Sequence, residues 1–439
     1  MKKELRLPFA VLAAVPFVMV LGNSMLIPVF PRLKAAMDIS QFQVGLLITA
    51  FSVPAALLIP FAGALSDHFG RRIVMVPALV MYGTGGLIAG GAAVLLDDPY
   101  GVVLAGRVVQ GLGAGGTYQL AMALTGDIFT GSERPKTLGM LEAANGLGKV
   151  VSPLLGAAVG LISWFAPFFV YGLLAFPVAA AVWFVVKEPR EGRQARGIAT
   201  YWRDLTAIVR QRGAPLLACY VVGMAALFLL FGVLSFVSDE LEQRFGVRGF
   251  ASGLWLAVPV TAMAATAYGV GVLLQTRLRW LRAGALAGAA AVVAALAAAP
   301  FVADRLVPFI VDTAVLGIGV GVVLPCLNML ITSAADQRER GVVTAFYGTV
   351  RFLGVAVGPP SFALAAQVSH PFMFWAGAAV GAVVLAIGRW LIDPRVLLPE
   401  EGGPQTASEG GGEGEGQGQG PAGVPSPASR RTPEPVPHN

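Results

Sequence analysis

The sequence predicts an all-α polytopic membrane protein with twelve transmembrane helices in two pseudo-symmetric six-helix bundles, and three observations predict it. Hydrophobic residues make up 56% and charged residues 13%, with a mean hydropathy of +0.72, which excludes an ordinary soluble protein. About twelve apolar runs are bounded by charges, each long enough at about 1.5 Å per helical residue to cross roughly 30 Å of hydrocarbon. The third observation is an internal repeat at an offset of 206 positions. Gly63 then falls on Gly269, Arg71 on Arg277, Gly111 on Gly317, Gly113 on Gly319, Gly115 on Gly321, Arg134 on Arg340, Gly148 on Gly354 and Pro153 on Pro359.

The spans lie near 8–30, 43–65, 73–95, 101–123, 137–162, 166–186, 215–237, 251–274, 282–302, 307–332, 342–366 and 371–392. Lys2, Lys3 and Arg6 precede the first, as in a signal peptide, but the segment from Pro8 to Phe30 is too long for an h-region and reads as a retained helix. With the N-terminus inside, the inner loops and N-terminal arm hold nineteen Lys and Arg against five outside (Arg32, Lys34, Arg244, Arg248, Arg305), so both termini are expected in the cytoplasm. The formal charge of +6 is thereby explained by orientation, not by nucleic acid, because the basic residues form no continuous stripe. The expected organisation is an N-terminal bundle over 1–186, an Arg-rich linker over 187–214, a C-terminal bundle over 215–394 and a disordered cytoplasmic tail over 395–439, rich in Gly, Glu, Gln, Pro and Ser. Cys219 and Cys326 lie far apart in apolar runs and read as small core residues. The scarcity of Lys and the abundance of Ala and Gly fit a high-GC bacterial genome and a bacterial plasma membrane.

Between the second and third spans stands Gly63-Ala-Leu-Ser-Asp-His-Phe-Gly-Arg-Arg72, a charged break in which Asp67 precedes Arg71 by four residues. Gly63 and Gly70 are expected to allow close backbone approach or a turn. This pattern resembles the signature loop of the major facilitator superfamily, and the resemblance covers residues 8–392. It implies two six-helix halves around a midplane substrate cavity. It also implies a cytoplasmic cluster of Asp67, Arg71, Arg72 and Asp127 that locks one state, with Asp67 near the helix start at Gly341, where an anion is favoured. The second copy of the loop has Leu273 where Asp67 stands, so that switch belongs to one half.

In the fourth span Arg107, Gln110, Ala114 and Thr117 share a helical face beside Gly111, Gly113, Gly115 and Gly116, similar to the superfamily motif whose Arg is associated with proton coupling. A structural Arg, held by backbone carbonyls or snorkelling outward, is the other reading. Gly148, Pro153, Gly156 and Gly160 in the fifth span resemble the motif of the antiporter branch, with Ser152 where that motif has Gly. Glu142, Asn145 and Lys149 share a face of this helix, and Thr344, Tyr347, Arg351, Gly354 and Gly358 share one in the eleventh. Asn145 and Arg351 are equivalent at the 206 offset, so Glu142, Asn145, Lys149, Tyr347 and Arg351 are expected to line the cavity together with Asn23 and Gln110.

The first span offers Asn23 and Ser24 where many drug:proton antiporters carry an acid, which leaves Asp67, Arg107, Glu142, Asp127 and Asp312 as candidates for proton coupling. Asp312 lies about five residues from its span's end and suits an outer gate or a loop edge equally. The resemblance implies a secondary transporter and not an enzyme: a monomer in the lipid bilayer that exports small amphiphiles such as drugs or siderophore-like metabolites against protons. An uptake symporter, a lipid flippase or a non-transporting sensor are the alternatives. No phosphate-binding loop is present, so no cofactor is expected beyond the proton gradient, and no metal site. Arg107, Lys149 and Arg351 outnumber Glu142 and Asp312 in the spans, so an anionic or zwitterionic substrate is expected.

Overall fold

A chain crossing hydrocarbon meets no water to satisfy its backbone N–H and C=O groups, so it must close its hydrogen bonds within helices or a barrel. The computed structural model describes residues 3–129, 133–189, 198–274, 277–334 and 340–398, and these take the helical solution with no strand among them. The helices are α1 (Lys3–Ser24), α2 (Phe30–Met37), α3 (Gln41–Phe69), α4 (Arg71–Leu95), α5 (Tyr100–Gly115), α6 (Tyr118–Ile128), α7 (Glu133–Gly160) and α8 (Ala166–Val185) in the first half. The second half holds α9 (Ile198–Gln243), α10 (Phe250–Leu274), α11 (Leu281–Val302), α12 (Leu306–Ser333), α13 (Arg340–Val368), α14 (His370–Leu391) and a short α15 (Pro394–Leu397). Among the described residues, ten stretches are long and apolar enough to cross a membrane. The other two crossings are the interrupted pair α5 and α6, and α7, which carries Glu142 and Lys149 along its length.

Local chemistry sets the boundaries. Ser40 and Gln43 form a reciprocal capping box at the start of α3, and Ser369 caps α14. Gly70 separates α3 from α4 at φ 116°, a conformation that L side chains rarely adopt. The first crossing is longer than expected from the apolar run and bends: Pro28 opens a 3₁₀ turn at Ile27–Val29, and the chain continues as α2 to Met37. The fourth crossing, expected as one helix, breaks at Gly116 and Thr117. Gly111, Gly113, Gly115 and Gly116 each weaken helix by about 1 kcal/mol relative to Ala, and the equivalents of Gly116 and Thr117 are Val322 and Val323, where α12 runs unbroken. A second correction concerns the tail. Pro394–Leu397 is helical, capped by Asp393 on the Arg395 amide at 2.9 Å, with Leu397 buried and Arg212 donating to the Val396 carbonyl at 3.0 Å. The expectation of disorder beyond Pro399 and the linker arginines Arg190, Arg193 and Arg196 lie outside the described residues, as does the side chain of Arg340.

The repeat is physical. The 206 offset carries α3 onto α10, α4 onto α11, α5 with α6 onto α12, and α7 onto α13. The two main seams between the halves, α3 on α13 and α7 on α10, exchange under that operation. Equivalent glycines do equivalent work: a Cβ at Gly111 would meet the Phe51 carbonyl at 2.1 Å, and one at Gly317 the Pro259 carbonyl at 2.3 Å. Gly148 and Gly354 likewise seat α7 on Phe17 of α1 and α13 on Met224 of α9. Gly156 lets α7 approach the bend after α1, where an added Cβ would lie 2.1 Å from the Met25 carbonyl, and Gly160 faces Val29. Gly63 differs from expectation, because nothing lies within 4 Å of a Cβ there, and the same holds at Gly341.

Gly156→Val therefore forces backbone apart at the α1–α7 seam, and overpacking of this kind costs about 1–3 kcal/mol. Gly63→Ala, in open space, is expected to melt like the parent. Thermal unfolding of the detergent-purified chains checks both, with a lowered midpoint expected for Gly156→Val alone.

Candidate functional site

Tyr118, placed on α6 by the break in the fourth crossing, donates to Oε1 of Glu142 on α7. Asn145 Nδ2, one turn on, donates to Oε2 of the same carboxylate at 3.3 Å. Lys149 follows by another turn, and Arg351 comes from the position on α13 equivalent to Asn145; Glu142 and Arg351 are the charges that act on Lys149. The site thus gathers Glu142, Asn145, Lys149 and Arg351, the same-face residues of the two equivalent helices, and adds Tyr118. The balance is uneven. Lys149 and Arg351 form no hydrogen bond or ion pair among the described residues, and Arg351 Nε and Asn145 Oδ1 are buried without partners. The Arg351 guanidinium sits 5.3 Å from the centroid of the Tyr347 ring. Tyr347 itself is packed away, stacked on Tyr220 of α9 and against Gly223. Two cations with one shared carboxylate are a costly arrangement inside a bilayer, and an anion is what the site lacks.

Arg107 is arranged differently. It is 0% exposed, and it does not snorkel. Its Nε donates to the Leu47 carbonyl at 3.0 Å, Nη1 to the Gly22 carbonyl and Gln110 Oε1 at 2.6 Å each, and Nη2 to Asn23 Oδ1 at 2.8 Å. Phe51 lies beneath the guanidinium at 4.5 Å. Asn23 and Gln110 are thus first of all acceptors for Arg107, binding α5 to α1 and α3 through neutral groups. Among the described residues, no carboxylate pairs with Arg107.

The charged hairpin forms a third cluster. Arg71 bonds Asp127 through Nε at 2.5 Å and lies 3.4 Å from Asp67. A residue not singled out in the sequence completes it: Glu188, just past α8, accepts from the backbone amides of Arg71 at 2.8 Å and Arg72 at 3.1 Å, and so caps α4, whose N-cap is Gly70. Arg72 turns the other way, onto the Trp183 ring and the carbonyls of Trp183 and Val186. Asp312 stands apart on α12, half-buried, with no hydrogen bond or ion pair among the described residues.

The family model described as Major Facilitator Superfamily matches residues 12–359. The chain belongs to the major facilitator superfamily. It is 34% identical over 386 residues to a bacillibactin exporter of Bacillus subtilis, covering 88% of this chain and 96% of the relative. It is 24% identical over 372 residues to the class B tetracycline resistance protein of Escherichia coli, covering 81% and 87%. Among solved structures it matches the human organic anion transporter MFSD10 with a TM-score of 0.68 at 21% identity, over 88% of this chain and 100% of that one. A D-xylose–proton symporter matches with a TM-score of 0.69 at 14% identity, over 88% and 98%. The protein is therefore a multi-pass membrane transporter, not an enzyme.

As a superfamily member with two packed halves, its conformation depends on what joins them. At the end remote from the charged hairpin, Lys34 of α2 pairs with Asp239 of α9 at 2.9 and 3.0 Å. Ser238 Oγ donates to the Ile27 carbonyl at 2.5 Å, and Gln41 Nε2 to the Ser235 carbonyl at 3.3 Å. Thr49 reaches the Ala356 carbonyl at 2.6 Å, and Gly45 lies on Pro359 and Pro360. In sequence Lys34 bears only on orientation, because an acid 205 residues away gives no local signal.

Breaking the half-buried Lys34–Asp239 pair is expected to loosen this seam modestly, since such pairs contribute about 1 kcal/mol or less. In a Ser238→Cys background Lys34→Asp should speed maleimide modification roughly two- to fivefold, and adding Asp239→Lys should restore the parental rate. Equal rates in all three proteins would show that the pair does not hold the seam.

Proposed function

We propose that this protein is a proton-coupled exporter of small anionic or zwitterionic amphiphiles, working by alternating access in a bacterial plasma membrane with both termini cytoplasmic. The observation that carries the reading is the pair of unpartnered cations, Lys149 and Arg351, beside a Glu142 held by Tyr118 and Asn145. Similarity to proteins named for bacillibactin export, multidrug efflux and tetracycline resistance supports the outward direction. The excess of Lys and Arg in the loops on the N-terminal side supports the orientation.

The electrostatics constrain the substrate further. A purely anionic ligand on Lys149 and Arg351 would bind better when Glu142 is protonated, which couples proton and ligand in the same direction. Antiport needs competition. A ligand that sets its anionic group on Lys149 and Arg351 and an ammonium or hydroxyl donor on Glu142 competes with the proton for that carboxylate. A zwitterion or a hydroxylated acid meets both demands. Glu142 is then the proton carrier, and each inward proton supplies about 2.3 kcal/mol per 100 mV. In this scheme Arg107, Asn23 and Gln110 hold the first half together. The Asp67, Arg71, Arg72, Asp127 and Glu188 cluster acts as the cytoplasmic switch, and the start of α13 at Gly341 is the partner that the superfamily resemblance implies for it.

Lys149→Ala removes a charge-assisted contact worth about 1.5–3 kcal/mol. Export of such a substrate should weaken roughly tenfold to a hundredfold in apparent affinity, with neutral amphiphiles little changed, as read from efflux in cells expressing each variant. Glu142→Gln should keep substrate exchange at equal concentrations and lose its pH dependence. Unchanged export of a zwitterionic substrate by Lys149→Ala would remove the reading.

A further inference from the structure

The two repeat-equivalent hairpins differ in how their arginines are satisfied. In the first half Arg71 has Asp67 and Asp127, and Arg72 has the Trp183 ring and two backbone carbonyls. At the 206 offset the two acids become Leu273 and Ser333, and Glu188, which caps the first hairpin, becomes Pro394. The second hairpin nevertheless keeps Arg277, Arg279 and Arg282, and α14 adds Arg389 at the same end. None of the four forms an ion pair among the described residues. Arg282 donates to the Arg389 carbonyl at 2.5 Å, which ties the two helix ends together, and its buried Nε has no partner. The acid next in sequence, Asp393, is engaged in capping the Arg395 amide.

The surroundings identify the missing partner. Trp280 is 52% exposed and Trp390 83%, and the Arg279 guanidinium lies 6.0 Å from the Trp280 ring. Exposed Tyr268, Val272 and Leu273 continue the surface along α10. Apolar side chains facing outward from a transmembrane helix meet acyl chains, exposed Trp marks the headgroup level, and clustered Arg at that level attracts anionic headgroups. We propose that the α10–α11 hairpin and the adjoining end of α14 form a binding site for an anionic phospholipid headgroup, with Arg277 and Arg279 contacting its phosphate and Trp280 and Trp390 seated at the headgroup level. Arg282 positions the two elements through its bond to α14. The second half thus obtains from the bilayer the negative charge that the first half carries in Asp67, Asp127 and Glu188.

The test is native mass spectrometry of the full-length protein with added phosphatidylglycerol or phosphatidylcholine, comparing wild type with Arg277→Ala/Arg279→Ala and Arg277→Lys/Arg279→Lys. Both positions are exposed, and size-exclusion profiles will report folding. Each cation near an anionic lipid surface contributes about fivefold to affinity, so the preference for phosphatidylglycerol should drop by roughly an order of magnitude or more in the Ala pair. The Lys pair should retain most of it. A wild type that does not distinguish the two lipids, an Ala pair that retains phosphatidylglycerol fully, or displacement of the lipid by inorganic phosphate at equal concentration would each overturn the proposal.

Discussion

A charge inside a bilayer has to be given a partner, and this structure follows from how that demand is met at each place. Arg107 is met by four hydrogen bonds, to two backbone carbonyls and the amide oxygens of Asn23 and Gln110. Neutral acceptors of this kind fix three helices in one relation without any group that titrates. Lys149 and Arg351 are not met, and the carboxylate nearest them is already bonded to Tyr118 and Asn145. The same residue types thus serve opposite ends: saturation makes a rigid joint, and deficit makes a receptive site.

Receptivity is useful only if the halves can move about the site. The seams are built for that, because small residues at Gly45 and Gly253 bring backbones of the two halves into contact without interlocking large side chains. What holds the remote end together is polar and local: one ion pair and a few side-chain bonds to carbonyls. The ion pair, being half-buried, contributes about 1 kcal/mol or less to holding that end.

Much of this was legible because the bilayer imposes a strong pattern on sequence. Twelve apolar runs and the 206-residue repeat follow from length and spacing, the Asp67–Arg71–Asp127 cluster was implied by the resemblance of the hairpin to the superfamily's signature loop, and the same-face relation of Glu142, Asn145 and Lys149 needed only helical periodicity. Tyr118 was missed because the break at Gly116 and Thr117 rotates the helix beyond it, so a face counted from Arg107 does not continue. Glu188 and the Lys34–Asp239 pair were missed because their partners lie more than a hundred residues away and polar residues at helix ends are commonplace. Tyr347 shows the converse: periodicity put it on the Arg351 face, but the α9 contact through Gly223 buries it.

The most direct test of the central claim is substrate-induced proton movement in proteoliposomes holding the purified protein under an imposed pH gradient. Zwitterionic, anionic, neutral and cationic amphiphiles are supplied in turn to wild type and Glu142→Gln. Proton flux opposite to substrate is expected for the zwitterionic class, and none in the variant. Substrate that crosses without moving protons, or flux driven equally by lipophilic cations, would contradict it.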